Sequence, residues 1–382
     1  MRTIDLDPYA VLANGDPSQL ESSSKRQLIN RLKDIEDKDP YFRRGDFWRR
    51  FSVAGFFTQE VVDEIKPLLA QGGEGHLRQL LLELLTGSPA IAMLTDELRQ
   101  LVVSPDEDEH IRELASRCLL EAGGYDHFPD LAVLVFEASP ASLKTAAKII
   151  ETLGSSTFET AYLAAFFRVC AHLYPDHRMR VEERIIGARY FVKRLIASME
   201  LETVEWLLDT LAKGFACTCG NESYECDCRN GMSKIIGSMV DRYFELAKPP
   251  YDPQRMWQWT RNLNFHGTKG ADQSRAVRAF EDDTLRQGII AHVFGTLSDR
   301  DRILEIKARN FGWCSHSGLR FHARDYEFVI NLAFETNNTA LWSCFFVGHQ
   351  RYRNLDEKGP DGLRRLMRTQ ALEKPPFFER ME

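Results

Sequence analysis

His76-Leu-Arg-Gln-Leu-Leu-Leu-Glu-Leu-Leu-Thr-Gly87, His110-Ile-Arg-Glu-Leu-Ala-Ser-Arg-Cys-Leu-Leu-Glu-Ala-Gly123 and Ser142-Leu-Lys-Thr-Ala-Ala-Lys-Ile-Ile-Glu-Thr-Leu-Gly154 are three versions of one pattern. Each opens polar, apolar, basic, at Leu77-Arg78, Ile111-Arg112 and Leu143-Lys144. Each then carries apolar residues at helical spacing and ends on a glycine suited to a helix C-cap. The pattern recurs at intervals of roughly 33 residues, and shorter helices are expected between its copies, over 90–102 and 128–137. Ser88-Pro89, Ser104-Pro105 and Ser139-Pro140 supply the turns. One helix pair cannot bury its own apolar stripe, so neighbouring pairs are expected to stack. The small side chains of Ala115, Ala146 and Ala147 would let them approach closely. An irregular helical bundle is the competing arrangement.

Outward from this core the spacing stays helical. Leu28, Ile29, Leu32 and Ile35 form a stripe behind Ser22, Ser23 and Ser24, which offer N-cap oxygens. Beyond residue 156 the repeat loses register, but helices are expected over 157–173, 181–199, 201–215 and 232–247. Strict apolar–polar alternation is hard to find, so a substantial sheet is not expected. The clearest break is Lys248-Pro-Pro-Tyr-Asp-Pro253, because consecutive prolines cannot continue a helix. The expectation is an all-α chain: a helical segment over 1–60, an α-solenoid over 61–248 with a cysteine-rich loop at 217–228, and an irregular helical region over 249–382. Both ends read as cut from a longer protein.

Composition bounds the function. The 382 residues are 43% apolar and 27% charged, enough for a sizeable core. A net charge of −7 argues against a dedicated duplex-binding protein. No apolar run is long enough to cross a membrane, and the N-terminus lacks the apolar region of a signal peptide. A cytoplasmic location is expected, with the eight cysteines as thiols or metal ligands.

Four of these fall within twelve residues as C-x-C-x6-C-x-C: Cys217, Cys219, Cys226 and Cys228. Four thiolates can close a tetrahedral zinc site, with Gly220 and Asn221 turning the second pair onto the first. Such a site leaves no open coordination position, so a structural zinc is expected. A disulfide pair, four free thiols and an iron–sulfur cluster are the alternatives. Cys314, His316 and His322, with His349 further on, form a weaker group that could hold a second metal or move protons, but a His among aromatic residues is more often packed and hydrogen-bonded. Cys118, Cys170 and Cys344 sit on apolar helix faces and read as core. There is no phosphate-binding G-x-x-x-x-G-K-[ST], no G-x-S-x-G and no H-E-x-x-H. Glu305-Ile-Lys307 has the look of a nuclease core, but its surroundings are helical, so it reads as solvated charge.

Three stretches are candidate binding surfaces. Residues 41–51 mix four arginines with five aromatics, placing Arg43, Arg44, Trp48, Arg49 and Arg50 where a partner protein or single-stranded nucleic acid could meet them. The plainer reading is an amphipathic helix, with Phe47, Trp48 and Phe51 inward. Arg351, Arg353, Arg364, Arg365 and Arg368 form a second basic stretch. Trp257 and Trp259, with Arg255 and Arg261, are either an interface anchor or core.

The units at 76–154 resemble HEAT repeats. The stretches at 6–17 and 42–51, followed by helix pairs, look like the helical region of large bacterial STAND-type (NACHT-like) NTPases linked to antiviral defence. The phosphate loop that defines those NTPases is missing, so no catalytic residue carries over. The resemblance implies a sensor or scaffold portion, or a stand-alone relative of it. The expected function is therefore a non-catalytic interaction scaffold with a protein partner. Single-stranded nucleic-acid binding is the alternative, and a metal-dependent enzyme is less favoured.

Overall fold

The computed structural model describes residues 2–40, 42, 55–71, 76–174, 186–213, 228–263, 274–312, 319–345 and 359–379. Among them there are twenty-one α-helices and no strand. No described helix is long and apolar enough to cross a membrane. The chain forms two compact units, Met1–Thr157 and Phe158–Glu382.

The first unit contains α1 (Arg2–Leu6), α2 (Pro8–Asn14), α3 (Ser22–Glu36), α4 (Gln59–Ala70), α5 (Leu77–Leu85), α6 (Thr95–Val103), α7 (Glu109–Glu121), α8 (Phe128–Glu137) and α9 (Pro140–Leu153). α4, α6 and α8 form one row, each packed on the next, and α5, α7 and α9 form a second. α6 packs on α7 and α8 on α9, so the rows are joined pairwise. Apolar spacing explains the arrangement. α7 buries Ile111, Leu114, Ala115, Cys118 and Leu119, and α9 buries Leu143, Ala146, Ala147, Ile149 and Ile150. These sets cover more than one face of each helix, as a helix flanked on both sides requires.

Turn chemistry sets the helix limits. Ser139 Oγ accepts from the Ser142 amide at 3.0 Å, with Pro140 opening α9. Asp108 caps α7, accepting from the His110 amide at 2.8 Å. Gly87 and Gly154 follow α5 and α9 with φ of +76° and +87°, a conformation glycine adopts without strain. After α7 the positive φ falls on Gly124, one residue beyond the expected Gly123. The three serines expected to cap α3 lie inside it: Glu21 is the N-cap, without a side-chain bond. The added first turn is followed by Lys25, which is buried and donates to the Gly55 carbonyl at 2.7 Å.

The basic position of the repeat fastens successive helices. Arg78 pairs with Glu107, between α6 and α7. Arg112, 1% exposed, meets Glu137 at the end of α8 through two bonds of 2.9 and 2.6 Å, and its Nε donates to the Val102 carbonyl of α6 at 3.0 Å. Lys144, at the matching place in α9, is more exposed and pairs backward with Glu109 and Glu113 of α7. The other row has its own ties, Lys66 to Glu97 at 3.1 Å and Arg99 to Asp130 at 2.8 Å.

The second unit contains α10 (Thr160–Ala171), α11 (Ile186–Ser198), α12 (Leu201–Lys213), α13 (Cys228–Leu246), α14 (Pro253–Thr260), α15 (Arg275–Ala279), α16 (Asp283–Phe294), α17 (Arg300–Phe311), α18 (Ala323–Glu335), α19 (Thr339–Cys344), α20 (Gly359–Glu373) and α21 (Pro375–Phe378). Alternate packing persists although the sequence repeat has faded. α10, α12, α14, α16, α18 and α20 each pack on the next in that order. α11, α13 and α15 do likewise, as do α17, α19 and α21. The Pro249-Pro250 break ends α13 without ending the packing, since α14 rests on both α12 and α13. Arg286 of α16 is the buried polar centre of this unit. Its Nε donates to Asp325 of α18 at 2.6 Å, Nη1 reaches the Phe280 and Glu281 carbonyls, and Nη2 reaches Asp283. Arg286 and Asp325 are both fully buried.

Candidate functional site

The residues singled out for metal binding fall largely outside the described residues. Cys217, Cys219 and Cys226 lie there, and Cys228 is placed only as the first residue of α13. Cys314, His316 and His349 lie outside too, as do Arg43, Arg44, Trp48, Arg49 and Arg50. Among the described residues no three His, Cys, Asp or Glu side chains are grouped as metal ligands would be. His322 is the residue before α18; its amide donates to Asp325 at 2.7 Å, and its Nε2 lies 3.5 Å from Glu281. Cys118, Cys170 and Cys344 are free and buried, as their apolar surroundings predict. Burial pushes the Cys118 thiol up to about 11, which keeps it protonated and unreactive at neutral pH.

Glu305 and Lys307 lie on α17, as the helical pattern predicts, but they do not act together. Glu305 is exposed and pairs with Arg302 at 2.5 Å. Lys307, expected in solvent, is turned inward: its Nζ donates to the Cys344 carbonyl at 2.8 Å and lies 4.2 Å from the centre of the Phe345 ring. α17 packs on α19, and the Lys307 stem can lie along that apolar contact while its ammonium reaches the carbonyl at the end of α19.

Two surfaces remain that could engage a ligand. The first is the outer face of α8. Leu131 and Leu134 are buried, while Phe128, Ala132 and Phe136, one helical turn apart, face out with Val133. Phe136 is 92% exposed. Both carboxylates of this helix are occupied elsewhere. Asp130 accepts from Arg99 and from the Tyr125 hydroxyl at 2.6 Å, and Glu137 is held by Arg112 and Ser139. The side chains that α8 itself turns outward are therefore apolar.

The second is a cleft of about 550 Å³ in the second unit, at the ends of α14, α16 and α17. The tryptophan pair divides here. Trp259 is buried; its Nε1 donates to Asp209 at 2.8 Å and Arg255 lies over its ring at 4.8 Å while pairing with Glu205 and Asp209. That half is core. Trp257 and Arg261 line the cleft instead, with His292, Arg302, Glu305 and Arg309. Trp257 stacks on Phe311 with the rings 15° from parallel. Asn310, buried, donates to the Arg261 carbonyl at 2.6 Å and so ties the end of α17 to the end of α14. Arg302, Glu305 and Arg309 were legible as one helix face from their i, i+3, i+7 spacing; their meeting with Trp257 and Arg261 was not.

No protein-family model, curated protein or solved structure matches this chain.

Proposed function

We propose that this protein is a non-catalytic interaction scaffold, an α-solenoid of HEAT-like helix pairs that binds a partner protein. The observation that carries the reading is the exposed apolar face of α8. Soluble proteins rarely present a contiguous apolar surface without using it, and Phe136 stands almost fully in solvent. The two rows of helices support the architecture, since each packs on its row neighbour and on its pair mate, the local contact pattern of a repeat array. The likeness to the helical region of bacterial STAND-type NTPases supports a sensor role beside a defence NTPase.

The test is Phe136→Asp in the full chain, recovered from its native cells by affinity tag after crosslinking. Because the side chain is exposed, the thermal melt should not change. A stoichiometric protein recovered with the wild type should be lost with the variant. Recovery of the same proteins by both would sink the reading.

Within the same proposal, Cys217, Cys219, Cys226 and Cys228 hold a structural zinc that joins α12 to α13. In its support, these two helices flank residues 214–227 and pack on one another. Elemental analysis should find one zinc per chain, released by Cys217→Ser or Cys226→Ser together with a lower melting temperature. Purified protein without metal and with all eight thiols titratable would end the idea.

A further inference from the structure

We infer that the cleft at the ends of α14, α16 and α17 binds a single nucleotide, with its phosphate between Arg261 and Arg309 and its flat base on Trp257. This goes beyond the scaffold reading and does not depend on it. Charge is the first observation. Three arginines line the cleft against one carboxylate, Glu305, which is already paired with Arg302. Among the described residues neither Arg261 nor Arg309 has an ion pair, and both are exposed. Two free guanidinium forks suit a phosphate dianion, which accepts several charge-assisted bonds at once.

The second observation is the aromatic wall. Trp257 is half-buried, held on Phe311 at a ring separation of 5.9 Å, and lines the cleft beside the arginines. A fixed indole is a stacking platform for any base. The third is size and polarity. About 550 Å³ lies within the range of small-ligand sites, and Asn262, Thr296 and His292 offer hydrogen-bonding groups for a sugar and a base edge. The fourth is preorganisation: Asn310 fixes the backbone at Arg261, and buried Ile303, Ile306 and Phe311 hold α17 in place.

A purely structural account would have arginines at helix ends offsetting the helix dipole. That serves Arg309, in the last turn of α17, and Arg261, just past α14. Arg302, in the first turn of α17, is placed by its i, i+3 pair with Glu305, so that among the described residues Arg261 and Arg309 are the cleft arginines without a carboxylate.

The experiment is calorimetric titration of the full chain at low ionic strength with AMP, GMP, CMP and UMP. Adenosine, inorganic phosphate and a short single-stranded oligonucleotide serve as further probes. At least one monophosphate should bind one to one and quench tryptophan emission. Nucleoside and phosphate alone should each bind about ten-fold or more weaker. Arg261→Glu and Arg309→Glu, exposed substitutions that should leave the circular dichroism and melt unchanged, should each weaken binding about ten-fold or more. Trp257→Leu should abolish the quench. The inference is overturned if no monophosphate binds, if either charge reversal leaves affinity intact, if phosphate alone binds as tightly, or if the oligonucleotide binds far more tightly than any mononucleotide.

Discussion

Lys307 has no carboxylate partner among the described residues, and burial pushes its ammonium down to about 8. The Cys344 carbonyl and the Phe345 ring offset part of that cost, but desolvation wins. In the unfolded chain the same group keeps its proton to near 10.5. The charged form is thus a penalty on folding below pH 8, relieved as pH rises from about 8 to 10.5. Lys307→Met should stabilise the protein at pH 7 by roughly 1–2 kcal/mol, since a lost charge and a filled apolar site act together. The gain should shrink toward pH 10 in urea denaturation, and a destabilised variant would refute the account. Arg112 is the opposite case, a buried charge with a full complement of acceptors. Arg112→Ala should cost about 3–5 kcal/mol by leaving Glu137 without its partner. The Arg112 bond holds the Glu137 carboxyl below its usual 4.5. Its contribution is therefore present above that value and lost as pH falls through the folded one, so Arg112→Ala should also flatten the acid limb of the stability curve. The sequence marks Arg112 by its place in the repeat but not Glu137, because a partner on another helix leaves no periodic trace. Lys307 misleads for the same reason: its helix face is readable, and what stands opposite is not.

At the scale of elements the helices were legible and their ends less so. α8 and α12 begin where the apolar spacing begins. α13 starts four residues before its apolar stripe, at Cys228, and this added turn carries Gly231 against α10. A Cβ at Gly231 would sit 1.9 Å from the Ala171 carbonyl oxygen. No side chain fits there without moving one helix. Gly231→Ala should therefore lower stability by about 2 kcal/mol or more, against the gain expected for the same change on an exposed helix face. Chemical denaturation decides it; a neutral result would mean that α13 can shift along α10. Gly231 falls one residue outside the helix expected over 232–247, and what it packs against lies on another helix, so its close approach leaves no mark in the local sequence.

At the scale of the molecule the repeat was readable only where its anchors keep both spacing and chemistry. From Leu77 to Gly154 three copies align; past Thr157 the helices carry different caps and many more aromatics, so the pattern dissolves while the alternate packing goes on. The cleft was out of reach, since it draws on three helices separated by loops of unrelated sequence. One consequence of the paired arginines lies in assembly. Stacked pairs of similar shape and oiliness risk docking out of order, with each helix face an acceptable mate for several others. Arg78 and Arg112 each demand a carboxylate contributed from further along the chain, Glu107 and Glu137. A pair skipped or swapped would seal a lone cation inside the stack, a mistake no apolar contact could repair. The two ion pairs are thus placed to favour the native neighbour order over a skipped or swapped one.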